Sequence, residues 1–316
     1  MWHAGERAVQ RRTGQQERAD HTGRSIGRTV PPVAARFLTE RRTIVVAAAD
    51  PAGRLWATQL AGPPGFVRAD GDHAVLVAAR PVPGDPLAEV LAGPAEVGTI
   101  ALDAAGRRRM RLNGRSVPHG PDGLRITAEQ VYANCPKYIQ RRSPRELPAA
   151  APAAVAGDRL ALAQQLAVAS ADTFFLATAG PDGRVDASHR GGFPGFVEVL
   201  GPDRLRWAEY TGNSMFMSLG NLELDPAAGL LLPDWDTGGA LLLTGRAEVD
   251  WSDPAAPAVD YTVHRTVELA HATPFAWTPP EFSPRAAPPA PLTNPGPPPP
   301  SRPNTSPTCH ILLPIR

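Results

Sequence analysis

The sequence predicts a mainly β protein made of two copies of one small barrel, with short helices. Three observations lead to this prediction: many residues that turn the chain, an internal repeat, and short strand-like runs at matching places in both copies. The chain has 316 residues, of which 37 are Pro and 29 are Gly. Because Pro interrupts helices, this composition favours many short elements joined by turns over a bundle of long helices.

An internal repeat relates the two halves of the chain. Residues 43–67 align without gaps to residues 173–197, a shift of 130, and the similarity continues at a shift of 131 as far as Gly114 and Gly245. The identical pairs include Thr43 and Thr173, Pro51 and Pro181, Gly53 and Gly183, Arg54 and Arg184, and the blocks 64–67 and 194–197. One register held over this length indicates a duplicated unit.

Each copy has the pattern of five or six strands. An apolar run at 43–49 or 173–179 meets a Pro-x-Gly turn and then a second run, which indicates a β-hairpin. A third strand, a short helix and two more strands follow, with the strands at 74–79, 98–102 and 110–113 in the first copy and at 205–210, 229–232 and 240–245 in the second. Strands in this number, with bends marked by Gly, close most economically into a small barrel.

Helices are predicted at three further places. Segments 32–41 and 158–169 each precede one copy, the first with Pro in its first turn and the second with Asp158 as its N-cap. Segment 127–138 opens with a capping box of Thr127 and Gln130 and is predicted as a helix that Pro136 redirects.

The predicted elements divide the chain into five parts. These are an N-terminal arm at 1–36, a first barrel at 37–142, a linker at 143–157, a second barrel at 158–278 and a tail at 279–316. The tail contains 14 Pro in 38 residues without hydrophobic periodicity, so it is expected to be disordered and dispensable.

Composition and motifs exclude several classes of function. The formal net charge is +1, which disfavours binding to nucleic acid or to an anionic membrane surface. No signal peptide or membrane-spanning run is present, so a cytoplasmic location is expected. Cys135 and Cys309 form neither a disulfide framework nor a metal motif. The glycine-rich dinucleotide and phosphate loops and the nucleophile elbow are also absent from the sequence.

Candidate binding residues lie where the two copies differ. The second copy has Ser188, His189, Arg190 and Gly191 at a strand end where the first copy has residues 58–61, Thr-Gln-Leu-Ala. A hydroxyl, an imidazole, a guanidinium and an approachable backbone predict an anion pocket. The alternative for the same residues is an exposed Arg190 and a His189 whose hydrogen bonds are satisfied within the fold.

Two further segments are candidates. Thr211, Gly212 and Asn213 end a strand and open a helix, an arrangement that suits a phosphate, whereas the first copy has Pro-rich sequence there. Residues 134–142, at the end of the first copy, include Asn134, Tyr138 and the only lysine, Lys137. The alternative for this second segment is a solvated basic stretch leading into the linker.

On several motifs the chain resembles the pyridoxamine 5′-phosphate oxidase-like split β-barrel flavoproteins, and in particular their tandem-barrel, predicted flavin-nucleotide-binding branch. The motifs are 3–6 with 9–10, 65–67, 113–114, 134–142, 188–192 with 194–196, 212–213, 219–221 and 243–247. The resemblance implies two FMN-binding split barrels, with FMN held between them. It implies cofactor contacts from Ser188, His189, Arg190, Gly191, Thr211, Gly212 and Asn213, with Asn134, Lys137 and Tyr138 brought towards the flavin by the first copy.

The resemblance implies a flavin-dependent oxidoreductase in which the cofactor carries the redox chemistry and the substrate and electron donor are unidentified. A deazaflavin or haem ligand on the same scaffold is one alternative. A flavin-binding or interaction module without turnover is another. A homodimer is compatible with the sequence, which leaves the oligomeric state open.

Overall fold

The computed structural model describes residues 2–133, 136–210, 212 and 214–285. Within this part of the chain, the first half forms an antiparallel sheet of seven strands, and the second half forms one of seven strands with an eighth paired at its side. The first half contains β1 (Thr43–Ala49), β2 (Leu55–Ala61), β3 (Val67–Ala69), β4 (Ala74–Val77), β5 (Ala95–Asp103), β6 (Arg108–His119) and β7 (Gly123–Ala133). The second half contains β10 (Thr173–Ala179), β11 (Val185–Gly191), β12 (Val197–Gly201), β13 (Arg204–Ala208), β14 (Ala227–Pro233), β15 (Ala240–Asp250) and β16 (Ala258–Ala270).

The two sheets have the same topology. The order in the first is β2-β1-β5-β6-β7-β4-β3, and the order in the second is β11-β10-β14-β15-β16-β13-β12, strand for strand. β1 and β10 begin at Thr43 and Thr173, which are 130 residues apart. The long hairpins carry bulges at Asn113/Gly114 and at Thr244/Gly245, which are 131 apart. The predicted mainly β fold of two duplicated barrels is confirmed.

The predicted helix at 127–138 is wrong. Residues as far as Ala133 belong to β7, which pairs along its length with β6, and Val131 and Tyr132 are buried. Thr127 lies opposite Arg115 in this ladder instead of capping a helix. The continuous hydrogen-bonded partner strand outweighs a local capping signal, because a capping box contributes little compared with a full sheet ladder.

The segment predicted as a linker, 143–157, contains two strands. β8 (Pro144–Glu146) pairs with β17 (Phe275–Trp277), and β9 (Ala153–Gly157) pairs with β16. The Ala-rich sequence of β9 lacks the alternating apolar pattern from which a strand can be recognised, and all five of its residues are exposed. Its pairing comes from the free edge of β16 that it covers.

The helices are short and lie mostly outside the barrels. They are α1 (Ala4–Arg12), α2 (Gln16–Gly23), α3 (Pro32–Thr39), α4 (Leu162–Ser170) and α5 (Met217–Leu222), with one 3₁₀ turn at Val90–Ala92. α3 and α4 occupy the two predicted segments, but α4 is preceded by Ala161 as its N-cap in place of Asp158. Among the described residues, no helix has the length and apolar character needed to cross a membrane.

The N-terminal arm packs on the second barrel. α1 lies against α5, and Val9 of α1 is fully buried in the core of that barrel. Gln10 donates a hydrogen bond from Nε2 to the carbonyl oxygen of Met215 at 3.1 Å. The arm is therefore packed into the second half of the structure, although it lies at the opposite end of the sequence.

The barrels meet through β2 and β11. β2 lies against β10, β14 and β15, and β11 lies against β1, β5 and β6. A Cβ added to Gly98 of β5 would lie 2.5 Å from Cα of Asp186, and one added to Gly229 of β14 would lie 2.5 Å from the carbonyl oxygen of Leu55. Non-bonded carbon atoms pack at about 3.5 to 4 Å, so only Gly permits these two crossings.

The beginning of the segment predicted as a disordered tail is ordered. Glu281 forms an isolated β-bridge with Arg141, and the backbone N–H of the buried Ser283 donates to Oε1 of Gln140 at 2.7 Å. The ring of Phe282 stacks on Phe193 with centroids 4.3 Å apart. The structural part of the chain thus continues to at least residue 285, and the rest of the predicted tail, 286–316, lies outside the described residues.

Gly98→Ala and Gly229→Ala should each lower the free energy of unfolding by about 1 to 3 kcal/mol, because the added methyl group overpacks the contact between barrels. Urea denaturation measures the change. Gly93→Ala is the matched control, since a Cβ there would find its nearest neighbour at 4.0 Å. Equal stability of all three variants would show that the barrels do not require the two close crossings.

A chain ending at residue 278 should melt at a lower temperature than a chain ending at residue 285. The shorter chain loses the bridge to Arg141, the hydrogen bond to Gln140 and the cover over Phe193. Thermal unfolding of the two truncations measures this directly. Identical melting temperatures would mean that these contacts contribute nothing.

Candidate functional site

A cleft lies between the barrels and contains the differing residues of the second copy. Its volume is about 140 Å³. The second barrel contributes β11 and residues 207–210, 212 and 214–219, the first barrel contributes β6, and the arm contributes Thr13 and Gln15. The cleft is therefore built by three separate parts of the sequence.

A hydroxyl and guanidinium cluster lies at the end of β11. Arg190 donates from Nη1 to Oγ of Ser188 at 2.9 Å and from Nε to Oε1 of Glu209 at 2.8 Å. Oγ of Ser218, on α5, lies 2.9 Å from Oγ of Ser188, and Trp207 donates from Nε1 to Glu209 at 3.0 Å. The cluster offers hydrogen-bond donors to an anion, while Glu209 offsets part of the positive charge of Arg190.

His189 is buried beside two cations. Nη1 of Arg109, from the first barrel, lies 3.1 Å from Nδ1 of His189 and 3.3 Å from its carbonyl oxygen. Burial, followed by the charges of Arg109 and Arg190, holds the pKa of His189 well below its usual range. The imidazole is therefore neutral at physiological pH.

A buried ion pair joins the barrels behind the cleft. Arg111 of β6 pairs with Asp186 of β11, and the two side chains are 6% and 5% exposed. Oδ1 of Asp186 also accepts hydrogen bonds from Nδ2 of Asn113 at 3.0 Å and from the hydroxyl of Tyr132 at 3.3 Å. Burial lowers the pKa of Arg111 and raises that of Tyr132. The carboxylate of Asp186 is the counter-charge beside this buried guanidinium.

Tyr138, which follows the first barrel in the sequence, lies at the cleft. The ring of Tyr138 lies 5.2 Å from that of Tyr210, centroid to centroid, so each barrel supplies one aromatic ring. Gln140 donates to the carbonyl oxygen of Gly192 at 2.9 Å, and a Cβ on Gly191 would lie 2.1 Å from the carbonyl oxygen of Tyr138. A side chain at position 191 would push this segment away from β11.

The predicted site residues are thus partly brought together. Six of the predicted site residues line the cleft: Ser188, His189, Arg190, Gly191, Gly212 and Tyr138. Lys137 is not among them, and its carbonyl oxygen accepts a hydrogen bond from Ser283. Asn134, Thr211 and Asn213 lie outside the described residues.

The backbone before α5 is strained. Ser214 and Phe216 have φ angles of +68° and +57°, which non-glycine residues rarely adopt. The arm holds this turn, since Ser214 hydrogen-bonds to Gln15 and Gln10 donates to the carbonyl oxygen of Met215. The helix that follows, Met217–Leu222, has six residues, and its Ser218 lines the cleft.

The equivalent place in the first copy is packed. Thr58, at the position of Ser188, donates to the buried Asp85, and burial raises the pKa of this carboxyl to about 6. Leu60, at the position of Arg190, is 1% exposed. The cavity that Gln59 lines, at the position of His189, has a volume of about 10 Å³. The polar cleft is therefore formed at the second copy and has no counterpart at the equivalent place in the first.

Sequence reasoning missed Arg109, Arg111, Glu209 and Ser218. Each replaces an apolar residue of the other copy at a shift of 131: Ala240, Leu242, Ala78 and Leu87 respectively. Arg109 and Arg111 also alternate along one strand, which places both side chains on the same face. Extending the comparison of the two copies to every position would have identified all four.

Among the described residues, no group of three or more His, Cys, Asp or Glu side chains is placed to bind a metal ion.

Comparisons with known proteins find similarity among solved structures. A protein of the pyridoxinephosphate oxidase family from Clostridium acetobutylicum, related to general stress protein 26 of B. subtilis, is 15% identical with a TM-score of 0.26, over 35% of this chain and 88% of that one. An FMN-binding protein from Syntrophomonas wolfei is 10% identical with a TM-score of 0.27, over 33% and 81%. An FAD-binding protein from Mesorhizobium loti is 11% identical with a TM-score of 0.26, over 37% and 98%.

No protein-family model matches the chain. No curated protein sequence matches it significantly. The solved structures that are similar over about a third of this chain include pyridoxinephosphate oxidase family, FMN-binding and FAD-binding proteins.

Asp186→Ala should lower the free energy of unfolding by about 3 to 5 kcal/mol, because it leaves the guanidinium of Arg111 buried without its counter-charge. Asp182→Ala is the matched control: it breaks the pair with Arg184, whose side chains are 55% and 68% exposed, and should cost at most about 1 kcal/mol. Urea denaturation of both variants gives the comparison. Similar losses in the two would mean that burial of the Arg111 pair is energetically unimportant.

Proposed function

We propose that the cleft binds a flavin nucleotide, FMN, and that the protein is a flavin-dependent oxidoreductase. The observation that carries the proposal is the one-sided chemistry of the duplicated fold: donors for an anion and two aromatic rings line one cleft, and the equivalent place in the other copy is packed. A ligand with a phosphate and a planar ring system matches both parts of this lining.

The residues present fit such a ligand. Ser188, Arg190 and Ser218 would hold the phosphate, and the adjacent rings of Tyr138 and Tyr210 would pack against the ring system. His189 adds a buried ring nitrogen, Nε2, which has no hydrogen-bond partner among the described residues. A buried polar atom without a partner costs free energy, so a ligand atom at this point would remove a penalty.

When bound, the flavin supplies hydride or electron transfer, and no side chain has to act as a chemical acid or base. The roles of the protein are to bind, to orient and to exclude water. Burial of His189 and of the ion pair behind it provides a rigid, low-dielectric wall on one side of the cleft.

An absorbance spectrum of the purified protein, with release and identification of any chromophore, tests the identity of the ligand. Flavin bands support the proposal. The Soret band of haem or a deazaflavin spectrum would overturn it in favour of another ligand. Bound flavin that no electron donor reduces under anaerobic conditions would leave a binding module without turnover.

Arg190→Ala should weaken FMN binding by about ten- to a hundredfold and leave riboflavin binding nearly unchanged, because a charge-assisted contact to the phosphate contributes about 1.5 to 3 kcal/mol. Leu60→Ala, at the equivalent position of the first copy, should leave both affinities unchanged. Fluorescence titration of each flavin into each variant measures this.

A second control concerns Glu209, which loses its partner in Arg190→Ala and then repels the phosphate. The double variant Arg190→Ala/Glu209→Gln removes this repulsion while it keeps an acceptor for Trp207. Equal losses for FMN and riboflavin in Arg190→Ala would show that Arg190 does not hold the phosphate. A larger loss in Leu60→Ala would place the site in the other copy.

A further inference from the structure

The contact between Arg109 and His189 fixes the hydrogen-bonding state of the imidazole. Nη1 of Arg109 lies 3.1 Å from Nδ1 of His189, and a guanidinium can donate but cannot accept a hydrogen bond. Nδ1 must therefore accept, which requires it to carry no proton. An imidazolium would place an N–H group of His189 against an N–H group of Arg109.

The surroundings keep the ring uncharged. His189 is 5% exposed, and β10 presents the ring of Phe175 at 5.6 Å. Two cations act on the imidazole: Arg109, which contacts it, and Arg190, the next residue along β11. Both burial and like charge oppose protonation, in agreement with the lowered pKa of His189. A neutral ring without a proton on Nδ1 carries its proton on Nε2.

The Nε2–H group is a buried donor. Nε2 has no hydrogen-bond partner among the described residues, and the residue lines the cleft. Leaving such a donor unsatisfied costs about 1 to 3 kcal/mol, whereas buried polar groups in folded proteins are nearly always paired. An acceptor atom of a ligand would satisfy it.

We propose that His189 is a fixed neutral donor that recognises, through Nε2–H, an acceptor atom on the ring system of the ligand: a carbonyl oxygen or an unprotonated ring nitrogen. The flavin identity of this ring system rests on the proposed function. The ring is favoured over the phosphate because neighbouring strand residues point to opposite faces, so His189 leaves β11 on the other side from Ser188 and Arg190. His189 thus selects for the ring, and the cluster at Ser188 selects for the phosphate.

The tautomer can be measured on the full chain without added flavin. Nitrogen-15 NMR of histidine side chains distinguishes the two neutral forms from the imidazolium, and the signals of His189 are those among the eight histidines that disappear in His189→Gln. We expect the Nε2–H form at neutral pH, with the pKa of His189 lower than that of an exposed histidine. An Nδ1–H form, or an imidazolium at neutral pH, would overturn the proposal.

Two substitutions separate the nitrogens. His189→Asn keeps an acceptor for Arg109 but has no group at the place of Nε2, whereas His189→Gln can place an amide N–H there. We expect His189→Asn to lower the affinity for FMN and for riboflavin equally, by about tenfold. The affinities of His189→Gln should stay within about threefold of wild type. A loss confined to FMN, or a Gln variant no better than Asn, would contradict recognition of the ring.

The NMR and binding experiments together separate this proposal from the proposed function. A wild-type protein that binds neither flavin would refute the flavin assignment, and the nitrogen signals would then decide by themselves whether His189 is the neutral Nε2 donor.

Discussion

The close packing of the two barrels at Gly98 and Gly229 is the constraint on which the rest of the structure depends. At these crossings the backbone of one barrel touches a strand of the other, β11 in one case and β2 in the other. The contact brings β11 against β6, so that Arg109 reaches His189 and Arg111 reaches Asp186. Without it, the guanidinium groups of the first barrel and the imidazole of the second would belong to separate surfaces.

The same contact explains how two charged side chains can be buried beside the cleft. Arg111 and Asp186 are too deeply buried for either charge to be stable alone, and each comes from a different barrel. Asn113 and Tyr132 complete the hydrogen bonding of Asp186. At the position of Asp186 the first copy has Trp56, whose ring is buried and whose N–H group donates to Asp50 within its own barrel. One side of the interface is thus ionic and the other aromatic.

Much of the fold could be predicted from the sequence because the repeat tests each element twice. The first strands of the two hairpins, 43–49 and 173–179, were predicted with their correct bounds, since apolar runs and turns recur at one spacing. The prediction failed beyond the repeat traced in the sequence, which ends near Gly114 and Gly245. In β7, Thr127 imitates a helix start, and β9 has an Ala-rich sequence whose pairing depends on an edge formed far away in the sequence. Ser188, His189, Arg190 and Tyr138, which the sequence singled out, line one cleft. The roles of Arg109 and Glu209 depend on distances across the fold that no local motif encodes.

Placing both barrels in one chain has a consequence for how the site can change. In a symmetric homodimer, a substitution in the subunit appears on both sides of the twofold axis, so an arginine that suits one cleft is imposed on the other. In this chain Arg111 and Leu242, or Arg190 and Leu60, occupy equivalent positions but are separate codons. Selection can therefore act on one half for ligand contacts and on the other for stability, and a loss of packing caused by the polar side can be compensated within the same gene.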